Sequence, residues 1–261
     1  MKIKVTRLAL LYFVLRFIVV GIMILQFIEH DYNSAFLCIL TLLLFMIPSF
    51  FEKRLKIELP SLLEKTILIF IFSAEILGEI NRFYLTIPYW DTILHTLNGF
   101  VMAGIGLSMI DILNRYDSLH FKMSPTFVCL VAFCFSMTIG VLWEFFEYGM
   151  DKITLTDMQK DTCTEYISSV DLNPSGENIS VIVDDIEKVS ITGTVDGEKT
   201  TIELDRYMDI GLADTMNDLF VNCIGAVVYS IFGLFYLNGR GKLAKGFIPR
   251  IKKQKTADCK K

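Results

Sequence analysis

The sequence predicts an all-α polytopic membrane protein: a six-helix transmembrane bundle with a small extracytoplasmic β-containing insert between the fifth and sixth spans. Three observations carry this expectation. Of the 261 residues 53% are hydrophobic and the mean hydropathy is +0.50, well above an ordinary soluble domain. The apolar residues gather into runs close to the ~20 residues that a bilayer core requires. Between those runs, basic connections alternate with acidic or neutral ones.

The runs, in order, are 8–28, 34–51, 61–80, 92–112, 126–147 and 211–237. Arg16 interrupts the first, and no small-residue cleavage site follows it, so it reads as a retained anchor rather than a signal peptide. The second is the shortest, and Pro48 with the polar end of "SFFEKR" closes it. Residues 1–150 therefore hold spans 1 to 5, 151–210 the insert, 211–238 the sixth span, and 239–261 a basic tail.

Orientation follows from the connections. Lys2, Lys4 and Arg7 precede span 1, Lys53, Arg54 and Lys56 follow span 2, and Arg115 and Lys122 follow span 4. The tail "GRGKLAKGFIPRIKKQKTADCKK" is strongly basic, whereas "EHDYN" and "NRFYLTIPYWD" are not. The positive-inside rule then places both termini in the cytoplasm of a cell with a cytoplasmic (plasma) membrane, and the insert outside it. The tail lysines read as topology determinants and as contacts to anionic membrane lipids, so no nucleic acid is expected as a partner.

The insert has a composition of its own. Between Asp151 and Asp209 there are 14 acids against five bases, a net charge of −9. "NPSGEN" is a turn cluster and "SVIVDDI" reads as a strand. "VSITGTVDGEKTTIEL" alternates β-branched residues around Asp196-Gly197, which predicts a hairpin. The six cysteines are scattered without metal-ligand or redox spacing, which argues against a disulfide framework.

Four helices carry polar stripes that this topology places at a common depth. On span 5, Glu144, Glu147 and Asp151 fall at i, i+3 and i+7 within "WEFFEYGMD", on one face. On span 6, Asp214, Asp218 and Asn222 fall at i, i+4 and i+8; on span 4, Asp91, His95 and Asn98 fall at i, i+4 and i+7. At the end of span 3, Glu75, Glu79 and Arg82 repeat the i, i+4, i+7 spacing. Acids facing lipid would each cost several kcal/mol, so the stripes are expected to face one another or a cavity.

Crowded carboxylates either protonate or recruit a cation. A purely structural network, with Arg82 and Arg16 as counter-charges, is the plainer alternative. His95 is the only histidine inside an expected span, and it shares a face with Asp91. One imidazole among several carboxylates suits a divalent metal ion, with His95, Asp214 and Asp218 as ligands. Glu144 or Glu147 would then serve as general base, while Asp91, Asn222, Glu75, Glu79, Arg82 and Asp151 support. No HExxH, Gly-rich phosphate loop or GxSxG is present. Gly99, Ala103, Gly104 and Gly106 on span 4, with Gly225 and Ala226 on span 6, read as small faces for close helix packing.

Three blocks, "WDTILHTLNGF", "AFCFSMTIGVLWEFFEYGMD" and "DIGLADTMNDLFVNCIGA", resemble the signature blocks of the YjdF-like bacterial membrane-protein family. The pattern is D-x-x-x-H before a glycine, W-E-x-x-E, and D-x-x-x-D-x-x-x-N before G-A. Asp91, His95, Gly99, Trp143, Glu144, Glu147, Asp214, Asp218, Asn222, Gly225 and Ala226 fill it. The chain is also loosely similar to VanZ-like proteins, which are linked to glycopeptide and envelope-stress resistance. The resemblance covers spans 3 to 6 and implies a site without naming a substrate. Three functions stay open: a metal-assisted hydrolase or transferase on a lipid-linked or envelope substrate, a proton-coupled transporter, and a scaffold or binding protein.

Overall fold

The computed structural model describes residues 6–55, 57–114, 123–155, 157–239 and 250–251. Lys2, Lys4, Lys56, Arg115, His120, Lys122, Cys259 and most of the basic tail, all used in the sequence reading, lie outside the described residues. Two units are distinguished: residues 1–142 with 218–261, and residues 143–217.

The first unit is helical. Helix α1 (Arg7–Ile28) starts at Thr6, whose hydroxyl accepts from the Ala9 amide at 3.2 Å. Helix α2 (Tyr32–Leu44) starts at Asp31, which accepts from both the amide (3.0 Å) and the hydroxyl (2.7 Å) of Ser34. Those bonds hold the exposed Asp31 carboxyl below its ordinary range, Ser34 being the main cause. A two-residue irregularity at Phe45–Met46 separates α2 from α3 (Ile47–Leu55), and Pro48 sits in the first turn of α3, where its missing N–H costs nothing.

The segment expected as the third span is composite. Helix α4 (Ser61–Phe72) runs directly into a π-helical segment, Ser73–Ile80, closed by the Asn81 amide on the Ile76 carbonyl at 3.0 Å, an i→i−5 bond. Arg82 then adopts φ +56 and opens the short α5 (Phe83–Thr86). This corrects the expected third stripe: Arg82 has left the helix, so its i+7 spacing from Glu75 does not place it on that face. Glu79 and Arg82 are exposed, and Glu75 is half-buried.

Helix α6 (Trp90–Asn114) belongs to this unit, as do the first part of α7 (Pro125–Thr154) and the later part of α8 (Leu212–Leu237). Among the described residues, five stretches are long and apolar enough to cross a membrane: Arg7–Ile28, Tyr32–Arg54, Trp90–Asp111, Pro125–Thr154 and Leu212–Leu237. Two apolar clusters hold the unit together. Leu15, Val19, Cys38, Phe45, Leu68, Ile71 and Ile76 join α1, α2, α4 and the π-helical segment. Ala103, Leu107, Val128, Cys129, Ala132, Ala226 and Tyr229 join α6, α7 and α8. The remaining apolar surface faces outward, as with Phe13 and Phe17, 68% and 72% exposed on α1. A two-residue ladder pairs β1 (Ile57–Glu58) with β8 (Arg250–Ile251), antiparallel, Ile57 opposite Ile251.

The second unit holds the end of α7, three two-stranded ladders and the first turn and a half of α8. β2 (Thr162–Thr164) pairs with β7 (Tyr207–Asp209), β3 (Ile167–Ser169) with β4 (Val181–Val183), and β5 (Val189–Val195) with β6 (Glu198–Leu204). The β5–β6 hairpin turns at Asp196 and Gly197, with φ +51 and +86, the two positive values a type I′ turn demands. Ile191 faces Ile202 across the ladder, and the Thr192 and Thr201 hydroxyls bond at 3.0 Å on the other face. Near the base of the insert, partial desolvation pushes the Asp161 carboxyl up, reinforced by the neighbouring Asp157, Asp209 and Asp151 carboxylates.

Candidate functional site

The first unit places Asp91 and His95 one turn apart on α6 and brings Asp218 of α8 against them. His95 Nε2 lies 3.4 Å from Asp91 Oδ1 and 3.8 Å from Asp218 Oδ2. His95 and Asp218 are buried, whereas Asp91 keeps partial access to solvent. One ligand atom from each residue lies within 4.8 Å of the other two.

One turn further along both helices, a neutral pair repeats the arrangement. Asn98 Nδ2 donates to Asn222 Oδ1 at 3.1 Å, and Asn222 Nδ2 approaches Met137 Sδ of α7 at 3.6 Å. Ser136 of α7 donates its hydroxyl to the Gly99 carbonyl at 2.8 Å. Three glycines make room for this crossing. A methyl at Gly99 would run into the Asn222 main-chain carbonyl, and one at Gly225 into the Thr96 carbonyl. One at Gly140 would stand 2.8 Å from Asn222 Nδ2. Small residues here let two backbones touch, the usual reason for them at apolar helix crossings.

Of the other expected site residues, Glu144, Glu147, Asp151 and Asp214 belong to the second unit. Glu144 and Glu147 stand on the second unit's part of α7, both buried, while Trp143, Phe145, Phe146 and Tyr148 around them are exposed. The i, i+3 spacing thus does select one buried face. Trp143 Nε1 donates to Glu147 Oε1 at 2.9 Å. Asp151 accepts from the Met158 amide (2.6 Å) and the Gln159 amide (2.9 Å), which offsets the unfavourable meeting of a carboxylate with a helix C-terminus. Asp214, expected as a metal ligand, accepts from the next amide, Lys160, at 2.7 Å and sits in the first turn of α8, where the helix dipole favours a negative charge. In the first unit the group of described residues that could hold an ion is Asp91, His95 and Asp218.

A further buried pair, absent from the expected stripes, joins α1 and α4. Glu64, buried in the first turn of α4, accepts the Tyr12 hydroxyl of α1 at 2.7 Å, and the Arg16 guanidinium lies 5.1 Å from the Tyr12 ring centroid. The available signal was an acid just inside the start of an apolar run.

A mostly helical chain with several apolar helices and a buried His–Asp pair at a glycine-lined crossing defines a helical membrane protein with a buried polar group. Residues 9–239 match the family described as "Predicted membrane protein (DUF2238)", and the chain belongs to it. An uncharacterized protein of Thermotoga maritima is 30% identical over 106 residues, which are 41% of this chain and 53% of that protein. The chain thus matches about half the length of that relative. No solved structure matches.

Proposed function

We propose that this is a six-span protein of the bacterial cytoplasmic membrane whose Asp91, His95 and Asp218 hold a divalent metal ion. The observation that carries the reading is the spacing of the donor atoms. Ligand atoms each about 2.0–2.2 Å from one ion lie at most about 4.4 Å apart, and the distances of 3.4 and 3.8 Å from His95 fall inside that limit. Both exceed the usual hydrogen-bond range of about 2.7–3.2 Å. One imidazole with two carboxylates suits Zn²⁺, Mn²⁺ or Fe²⁺ better than Ca²⁺. Three protein ligands leave coordination positions open, as in catalytic rather than structural sites.

Such an ion would polarise a substrate oxygen and lower the pKa of a bound water. The chain's own part is to hold the three donors, to keep lipid from them by burial, and to leave Asp91 as the wetter edge. This supports a hydrolase or transferase acting on a lipid-linked or envelope substrate. Glu144, Glu147 and Asp214 stand in the second unit, and the proposal rests on the first alone. The competing reading, a structural network, is favoured by the i, i+4 approach of His95 to Asp91, which a protonated imidazole would strengthen.

The span count has its own support. β1 follows the second apolar stretch and β8 lies in the tail, and their pairing supports one side of the membrane for both. An even number of crossings must then separate residues 58 and 250. The three long helices α6, α7 and α8 are odd in number, and on this proposal the 20-residue segment Ser61–Ile80 would supply the fourth crossing. With the basic connections, this favours cytoplasmic termini and an extracytoplasmic insert.

The deciding experiment is elemental analysis of gently purified protein beside His95→Ala. Stoichiometric metal in the first and none in the second supports the site. Absence of metal in both, with no binding on addition of Zn²⁺ or Mn²⁺, refutes it.

A further inference from the structure

We propose that Gly99 and Gly225 are positioning residues for the metal ligands: they set the distance between α6 and α8, and with it the reach of Asp218 to His95. The inference rests on the metal reading above.

Gly99 lies four residues after His95 on α6, and the Cβ it lacks would occupy the place of the Asn222 carbonyl, four residues after Asp218 on α8. Gly225 makes the reciprocal contact with Thr96, the neighbour of His95. Both obstacles are main chain, which cannot rotate aside as a side chain can. A methyl at either position therefore has to push the helices apart at the turn next to the ligands. The required movement is on the order of one C–C bond, ~1.5 Å. Asp218 is buried on a rigid helix and its carboxylate already stands 3.8 Å from His95, so it has no long stem with which to follow.

Other glycines on α6 provide the contrast. At Gly104 an added Cβ meets the Tyr229 ring at 2.9 Å, and at Gly106 it meets the Phe135 side chain at 3.0 Å. Both lie further along α6 from His95, and their first obstacles are side chains. Filling them loosens the apolar cluster without wedging the ligand-bearing turns.

The experiment measures Zn²⁺ affinity of full-length protein in detergent for the wild type, Gly99→Ala, Gly225→Ala and Gly104→Ala. The two seam variants should lose about 10–100-fold, the scale of loss when the groups that orient metal ligands are disturbed; Gly104→Ala should keep wild-type affinity. A longer ligand supplies the rescue: Asp218→Glu in the Gly99→Ala background should recover at least tenfold, because one added methylene restores the reach. In the wild-type background the same Asp218→Glu change overshoots and weakens binding, which keeps a test available if Gly99→Ala does not fold. Wild-type protein that binds no Zn²⁺ removes the metal reading itself. Wild-type binding with affinity unchanged in Gly99→Ala, or in Asp218→Glu alone, overturns the positioning role and leaves the metal reading standing. Equal losses in Gly104→Ala also overturn it, since affinity would then follow general packing.

Discussion

Replacing Asp218 by asparagine keeps the side chain's size and removes one negative charge from a group in which two carboxylates and an imidazole stand within 4.8 Å. With no metal bound, the Asp91 and Asp218 carboxylates stand close enough together to repel. At an effective dielectric constant of about 20, two unit charges 4.8 Å apart repel by roughly 3 kcal/mol. Asp91 is 32% exposed at its side chain, and solvent there reduces the figure to about 1–2 kcal/mol. Metal-free Asp218→Asn should therefore melt above metal-free wild type. Saturation at 100 times the dissociation constant adds about 2.7 kcal/mol to the wild type, and the variant, lacking one ligand, should gain little. The order of the two melting temperatures reverses between chelator and metal. Thermal melts in detergent with EDTA and then with excess Zn²⁺ read this directly. A variant less stable than the wild type in EDTA, or melting temperatures indifferent to metal in both proteins, would refute the reasoning.

Three further outcomes follow from other parts of the structure. Tyr12→Phe leaves the buried Glu64 without its 2.7 Å donor and should cost about 1–3 kcal/mol, seen as a lowered melting temperature; an unchanged one would mean that the carboxyl finds another partner. The raised Asp161 pKa means that its folded value lies above its unfolded one, so its contribution is present at low pH and is lost as pH rises through the folded value. Hydrogen exchange in the β2–β7 ladder should accordingly quicken as pH rises just above the ordinary carboxylate range, after correction for intrinsic exchange, and Asp161→Asn should abolish that dependence. Reporters fused after Met123 and after Gly176 should register as cytoplasmic and extracytoplasmic respectively; both on one side would break the parity inferred from β1 and β8.

How much of this was legible in the sequence depends on the range over which each feature is decided. The five long helices and the Asp196-Gly197 hairpin were read correctly because hydrophobic run length and turn chemistry are local. The same holds for the Glu144–Glu147 face and the Asp91–His95 turn, which need only the 3.6-residue period. The π-helical segment is not visible in the sequence: "SAEILGEI" reads as ordinary helix, whereas Ser73–Ile80 is π-helical and Arg82 turns out of the helix at φ +56.

The choice between Asp214 and Asp218 marks where local reading ends. The two stand four residues apart on one helix, equally acidic, and the sequence reading took both as ligands. Asp218 stands 3.8 Å from His95, and one turn away a Cβ at Gly99 would strike the Asn222 carbonyl and one at Gly225 that of Thr96. A shift of one helical turn, about 5.4 Å, would carry Asp218 away from His95. Meanwhile Asp214 is met by the Lys160 amide, from a loop 54 residues earlier in the chain. The glycines that the sequence marks as packing faces thus bear on the proposed site as well: on the positioning proposal they hold Asp218 at its distance from the one histidine of α6.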